Sequence, residues 1–322
     1  MTKLRCAVLD DYQQIALKAA DWSGIMDKVE VKVIDRHIDQ QDELIEQIAD
    51  CEIIVIMRER TPFRASLLAQ LPRLKLLITT GMRNASVDMD AAASQGITVC
   101  GTGGAGNATA ELTWALLLGL ARNIVQEHNA IRSGQWQSTV GTDLYGKTLG
   151  VLGLGKLGSK IAKFGQAFGM DVVAWSQNLT QERAAEVGVR LAASKEELLE
   201  SSDFVSIHLV LSERTRGLIG AAELKRMRPT ARLINTSRAP IVDQAALAEA
   251  LTNGWIAGAA VDVFEVEPLP KDDIYRTLPN LLTTPHIGYV SQANYEAFYQ
   301  EVVEDIEAYL SGSPIRTLSG KA

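Results

Sequence analysis

Short apolar, β-branched runs alternate along most of this chain with stretches whose apolar positions recur at helical spacing. "RCAVLD" (5–10), "VEVKVID" (29–35), "CEIIVIM" (51–57), "LKLLITT" (74–80) and "GITVCG" (96–101) read as strands, with helices over "QDELIEQIAD" and "RASLLAQL" between some of them. The alternation restarts at 148. "TLGVLGLG" leads into the helix "KLGSKIAKFGQAFG" and the strand "DVVAWS"; further on, helices over "SKEELLESS", "AAELKRM" and "QAALAEALTNG" separate strands in "FVSIHLV", "RLINTS", "AGAAVDVF" and "NLLTTPH". Asp243 is the expected N-cap of the helix that Gly254 closes. Continuous apolar strands with helices between them need cover on both faces, so the pattern predicts an α/β protein with two parallel sheets.

The 322 residues suit two domains, and 47% hydrophobic with 22% charged residues describes a folded soluble chain. The glycine-rich "CGTGGAGNA" (100–108) marks the expected boundary. The closing helix "NYEAFYQEVVEDIEAYLSG" is expected to cross back, giving a substrate domain of 1–103 plus 291–322 and a dinucleotide-binding domain of 104–290. "NIVQEHNAIRSGQWQSTVGTDLYGK" looks like an arm suited to a homodimer contact. A net charge of −7 without a Lys/Arg run disfavours nucleic acid as a partner. Three scattered cysteines (Cys6, Cys51, Cys100) point to reduced thiols in a cytoplasmic protein, and neither CxxC nor HxxxH spacing is there to hold zinc. The N-terminus lacks the apolar core of a signal peptide, and the helix "TAELTWALLLGLA", bounded by Glu111 and Arg122, is too short for a membrane span.

Chemistry enters at "GVLGLGKLGSKIA", where Gly153-Leu154-Gly155-Lys156-Leu157-Gly158 follows a strand and opens a helix. In that context the first glycine makes the turn, the second admits a pyrophosphate to the backbone, and the third lets helix and strand pack closely. The next strand should end in an acid that binds the adenosine ribose. It ends instead in Ser176 and Gln177, with no arginine until Arg183 in a helix, so NAD and NADP both stay open; the reading leans to NAD.

Ligands of open parallel sheets bind outside the carboxyl ends of the strands. "RLINTSRAPIVD" delivers Thr236 and Arg238 there, "AGAAVDVFEVEP" delivers Asp262 and Glu267, and "NLLTTPHIG" delivers His286. A lone histidine after an apolar run is by default a hydrogen-bonded core residue. The company of a carboxylate and a guanidinium beside a dinucleotide loop argues for a site instead. A hydride arriving at a ketone carbon leaves charge on oxygen, which protonated His286 can neutralise. Glu267 would favour the imidazolium and fix which ring nitrogen faces the substrate, and Arg238 offers a planar fork to a carboxylate. Asp262 would hold the nicotinamide or support the pair electrostatically.

The stretches "LYGKTLGVLGLGKLG", "TRGLIGAAELKRMRPTARLINTSRAPIVDQAALAEAL", "GAAVDVFEVEPLP" and "LPNLLTTPHIG" resemble the D-isomer-specific 2-hydroxyacid dehydrogenase family over roughly 145–290. The resemblance implies a Rossmann-type cofactor domain inserted in a smaller flavodoxin-like α/β substrate domain, a homodimer, and oxidation or reduction of a small 2-keto/2-hydroxy acid with NAD or NADP. It implies Arg238, Glu267 and His286 as catalytic residues and Asp262 as a cofactor contact. It also places Arg58, with Arg60 a further candidate, and the backbone around Thr80, Gly81 and Met82 near the substrate, and Thr109 near the nicotinamide. The sequence departs from the family at Ser176, at Val210 near the adenine-pocket candidate His208, and at Met82 and Arg83, where smaller residues are usual. The chain stops at Ala322, without room for the regulatory C-terminal domain of some phosphoglycerate dehydrogenases. Glyoxylate, hydroxypyruvate, phosphoglycerate and bulkier ketoacids are all candidates, with Glu59 beside Arg58 opposing a dianionic phosphate. Two alternatives stand: a formate dehydrogenase-like enzyme, which the carboxylate at Glu267 opposes, and a dinucleotide-sensing, corepressor-like binding protein.

Overall fold

In the computed structural model, which describes residues 2–319, the chain leaves one α/β unit after Gly106, builds a second from Asn107 to Tyr289, and returns to the first from Val290. The first unit runs β1 (Leu4–Val8), β2 (Val29–Val33), α1 (Gln41–Ile48), β3 (Ile53–Ile56), α2 (Ala65–Leu68), β4 (Leu76–Thr79), α3 (Met89–Ser94) and β5 (Thr98–Gly101). Its sheet has the order β2-β1-β3-β4-β5 with every pairing parallel, a flavodoxin-like arrangement. Every residue of β3 and β4 is buried, which is why their sequences are unbroken apolar runs. Residues 12–28, which join β1 to β2, form turns and no regular helix. The Asp11 carboxylate accepts from the Ile15 and Ala16 amides, and the Trp22 indole donates to the Ala16 carbonyl at 2.9 Å, so side chains hold this crossover together.

The second unit contains α4 (Ala108–Ala121), α5 (Ile124–Arg132), β6 (Thr148–Leu152), α6 (Lys156–Ala167), β7 (Asp171–Trp175), α7 (Gln181–Val187), β8 (Arg190–Leu191), α8 (Lys195–Ser201), β9 (Phe204–Ile207), α9 (Ala221–Arg226), β10 (Arg232–Asn235), α10 (Gln244–Thr252), β11 (Gly258–Val261) and β12 (Leu281–Thr283). Its seven-stranded parallel sheet has the order β12-β11-β10-β9-β6-β7-β8, a Rossmann-type doubly wound arrangement that reverses direction at β6. Adjacent residues of one strand enter opposite cores: Phe204 packs with Leu149 and Ile161, and Val205 with Leu152 and Leu233. Asp243 caps α10 by accepting from the Ala246 amide. The arm after α4 is partly helical, as α5. Against the sequence expectation of a buried strand before His286, β12 is a three-residue edge strand whose residues are only half-buried.

The last helix, α11 (Gln292–Leu310), belongs to the first unit and carries a fully buried carboxylate, Asp305. Its Oδ1 accepts from Arg316 Nε at 3.0 Å, yet burial outweighs that partner and pushes the carboxyl from 3.8 up to about 7. Because the folded value lies above the unfolded one, the native state holds a proton that the unfolded chain has released. The contribution is complete below about pH 4 and is lost as pH rises towards 7. Denaturation midpoints measured across that window should therefore fall more steeply for the wild type than for Asp305→Asn; parallel slopes would remove Asp305 from the account.

Candidate active site

The glycines of the second unit perform three different tasks. Gly153 turns the chain after β6 at φ 98°, a left-handed conformation that favours glycine, and a Cβ there would stand 2.7 Å from the His208 carbonyl oxygen. A Cβ at Gly158 would lie 1.9 Å from the Gly153 carbonyl oxygen, so α6 can pack this closely only with glycine there. A Cβ at Gly155 would meet nothing within 4 Å, so the side of the turn at the head of α6 is open. No side chain caps α6, and the first-turn amides at Lys156, Leu157 and Gly158 lack intrahelical acceptors by position. A tight turn, an open approach and uncommitted helix-start amides fit the pyrophosphate of a dinucleotide.

His208 follows β9. Its Nε2 lies 2.8 Å from Ser206 Oγ, while its buried Nδ1 has no hydrogen-bond partner among the described residues. Burial lowers the imidazole from 6.5 to about 3, which keeps the ring neutral. The turns after β7 and β9 together line a cavity of about 350 Å³, with Ser176, Gln177 and Asn178 on one wall and Val210, Arg214 and Thr215 on the other. Sequence reading missed Arg214, because nothing local links it to Ser176.

Three neighbouring strands, β10, β11 and β12, deliver the candidate chemical groups at their carboxyl ends. His286 Nδ1 lies 2.6 Å from Glu267 Oε2, and Glu267 Oε1 accepts from the Phe264 amide at 2.9 Å. The carboxylate is thus held by its own loop while it holds the ring. His286 adopts φ 52°, unusual for a residue with a Cβ, and its ring sits edge-on to Tyr289 with centroids 6.0 Å apart.

Asp262 explains that backbone. Its Oδ1 accepts from Thr284 Oγ1 at 2.6 Å and the Ile287 amide at 2.8 Å, and its Oδ2 accepts from the Gly288 amide at 2.8 Å. The residue expected as a cofactor contact therefore clamps the His286 loop from within the protein. Burial pushes its carboxyl up, opposed by those three hydrogen bonds and by His286.

Arg238 is half-buried, with Nη1 donating to the Ser237 carbonyl at 2.8 Å. The loop that carries it is fixed by Asn235, whose Nδ2 donates to the Arg238 carbonyl and whose Oδ1 accepts from the Ser237 amide. Sequence reading overlooked Asn235 too, although Asn at a strand end is a turn-forming signal. Thr236, a cofactor-binding candidate, and Thr109, expected near the nicotinamide, have hydroxyls engaged inside this unit: Thr236 Oγ1 lies 2.7 Å from Thr113 Oγ1, and Thr109 donates to the Gly288 carbonyl.

Within the first unit, Arg58 has φ 51°, and its amide donates to Thr80 Oγ1 at 3.0 Å. Of the amides expected to meet a substrate carboxylate, that of Thr80 donates to the Ile56 carbonyl and that of Gly81 to Thr102 Oγ1. Both are committed to holding the turn, which leaves Met82, 47% exposed, as the candidate donor of the three. Gly81 is required by its φ of 110°, and a Cβ there would come 2.6 Å from Arg58 Nη1. Arg60 stacks over the Tyr12 ring at 5.4 Å.

A sequence model of the D-isomer specific 2-hydroxyacid dehydrogenase NAD-binding domain matches residues 114–288. The glyoxylate reductase of Korarchaeum cryptofilum is 36% identical over 84% of this chain and 82% of its own length. The D-3-phosphoglycerate dehydrogenase of Methanocaldococcus jannaschii is 36% identical over 84% of this chain and 52% of its own. The crystal structure of phosphoglycerate oxidoreductase from Vibrio cholerae o395 superposes with a TM-score of 0.91 at 36% identity, covering 96% of this chain and 100% of that one. The chain belongs to the D-isomer-specific 2-hydroxyacid dehydrogenase family, NAD(P)-dependent oxidoreductases that act on the CH–OH group of their donors.

Proposed function

We propose that the protein is a D-2-hydroxyacid dehydrogenase that works as a reductase of small 2-ketoacids such as glyoxylate and hydroxypyruvate, with His286 as the acid/base. One observation carries the reading: the 2.6 Å contact between His286 Nδ1 and a Glu267 carboxylate that the Phe264 amide holds in place. With Nδ1–H donated to Glu267, Nε2 is the ring nitrogen left to exchange a proton with substrate.

A bound nicotinamide supplies the hydride. As the ketone oxygen gains charge, His286 Nε2 delivers its proton to that oxygen, and Glu267 stabilises the ring while it is charged. In the oxidation direction the neutral ring takes the hydroxyl proton back. Arg238 binds the substrate carboxylate through its planar fork and polarises the carbonyl. Asp262 acts as a positioning residue through the Thr284–Gly288 segment. Arg58 and the Met82 amide are the first unit's proposed contributions to substrate selection, and Glu59 beside Arg58 disfavours a phosphorylated acid.

The homodimer is proposed on the arm. Trp136 is 76% exposed and Val140 93%, with Ile124, Val125, Ile131 and Tyr145 also exposed nearby in sequence. That much apolar side chain on one segment suits burial against a second copy.

Reduced cofactor should be consumed, followed at 340 nm, with at least one member of a 2-ketoacid panel; tight cofactor binding with no turnover on any ketoacid would favour the sensor reading. His286→Ala should lower kcat by about a hundredfold to ten-thousandfold with cofactor affinity nearly intact, whereas equal loss of both would make the ring structural. Arg238→Lys should raise KM for the ketoacid at least about tenfold, because an ammonium cannot reproduce bidentate geometry; wild-type kinetics would count against the role. Sedimentation equilibrium should show a dimer that Trp136→Glu weakens, and a monomeric wild type would refute the interface.

A further inference from the structure

The cavity after β7 and β9 holds information that the strand-end sequence alone does not. In the sequence, Ser176 and Gln177 replace the acid that would bind an unmodified ribose, and the nearest downstream cation, Arg183, looked remote. The structure shows Arg183 already engaged, with Nη1 on Glu186 at 2.9 Å and Nη2 on Ser159 Oγ at 3.0 Å. Arg214, which reaches the same cavity from the loop after β9, forms no ion pair with a carboxylate among the described residues.

The cavity lining is chemically one-sided. It includes no Asp or Glu, and its one formal charge is the Arg214 guanidinium. The opposite wall offers the Ser176 hydroxyl and the side-chain amides of Gln177 and Asn178, on a turn closed by the Leu179 amide donating to the Ser176 carbonyl at 3.0 Å. The Arg214 loop is held too: Thr215 Oγ1 donates to the Val210 carbonyl at 2.7 Å and accepts from the Ser212 amide at 2.8 Å. Its volume of about 350 Å³ lies in the range of small-ligand sites.

A phosphate dianion needs a cation, several neutral donors and no facing carboxylate. An unmodified ribose diol, in contrast, is bound best by the acid that is missing here. We propose that this cavity takes the 2′-phosphate of NADP(H), with Arg214 as the specificity-determining cation, so that the protein prefers NADP(H) to NAD(H). The proposal departs from the lean to NAD drawn from the sequence. It rests on the cofactor reading of the preceding section and deepens it.

Direct binding tests the proposal without turnover. Dissociation constants of NADPH and NADH, from calorimetry on the intact protein, should differ by about tenfold to a hundredfold in favour of NADPH, the range of a charge-assisted contact. Arg214→Ala should remove most of that difference by weakening NADPH while NADH changes less than about twofold, and Ser176→Asp should turn the preference towards NADH. Added salt should weaken NADPH more than NADH. Equal affinities in the wild type, tighter NADH, or equal weakening of both cofactors by Arg214→Ala would overturn the assignment of Arg214 while leaving the dehydrogenase reading standing. Binding of neither cofactor would overturn both.

Discussion

The carboxylate of Asp262 accepts hydrogen bonds from Thr284, Ile287 and Gly288, and those contacts determine where the imidazole of His286 can point. Burying a carboxylate is expensive unless its lone pairs are matched. Here three donors match it, and each would be left unsatisfied if the acid were removed, at about 1–3 kcal/mol apiece. That is enough to hold His286 at a positive φ that a residue with a Cβ otherwise avoids. The strain and the clamp belong together: the loop is bent so that a ring from β12 meets Glu267 from the segment after β11.

Sheet geometry supplies the rest. In a parallel sheet every strand ends on the same edge, so β6, β7 and β9–β12 present the glycine turn, Ser176, His208, Arg238, Asp262 and His286 along one border. Their loops are held by short polar contacts to their own strands: Asn235 under Arg238, Asp262 under His286, Thr215 under the Arg214 turn. Placing reactive groups on loops while anchoring those loops to a rigid sheet is how an α/β fold gives geometry to chemistry.

What the sequence made legible follows from how local each signal is. The three glycines were readable because turn, approach and packing depend on six consecutive residues. His286 and Glu267 were readable because strand ends are visible as breaks in apolar runs. Asp262 is legible as a strand-end acid, but its contacts to Ile287 and Gly288 are not, since those residues offer backbone amides, which any residue carries. Arg214 was missed because its meeting with Ser176 depends on β7 and β9 flanking β6, and strand order is not written in the apolar pattern. Likewise "NLLTT" looked like a buried strand because apolar content does not distinguish an edge from a centre. In the first unit, the amides of Thr80 and Gly81 were assigned to a ligand before their internal acceptors, Ile56 and Thr102, were visible.

The proposed acid/base role of His286 requires that Glu267 fix the tautomer of its ring. Nitrogen-15 NMR of imidazole-labelled protein tests it most directly, because the chain has four histidines and His286→Ala assigns the relevant signal by its loss. The neutral ring of His286 should carry its proton on Nδ1, with Nε2 unprotonated and ready to accept one. A neutral ring protonated on Nε2, with Nδ1 bare, would contradict the account.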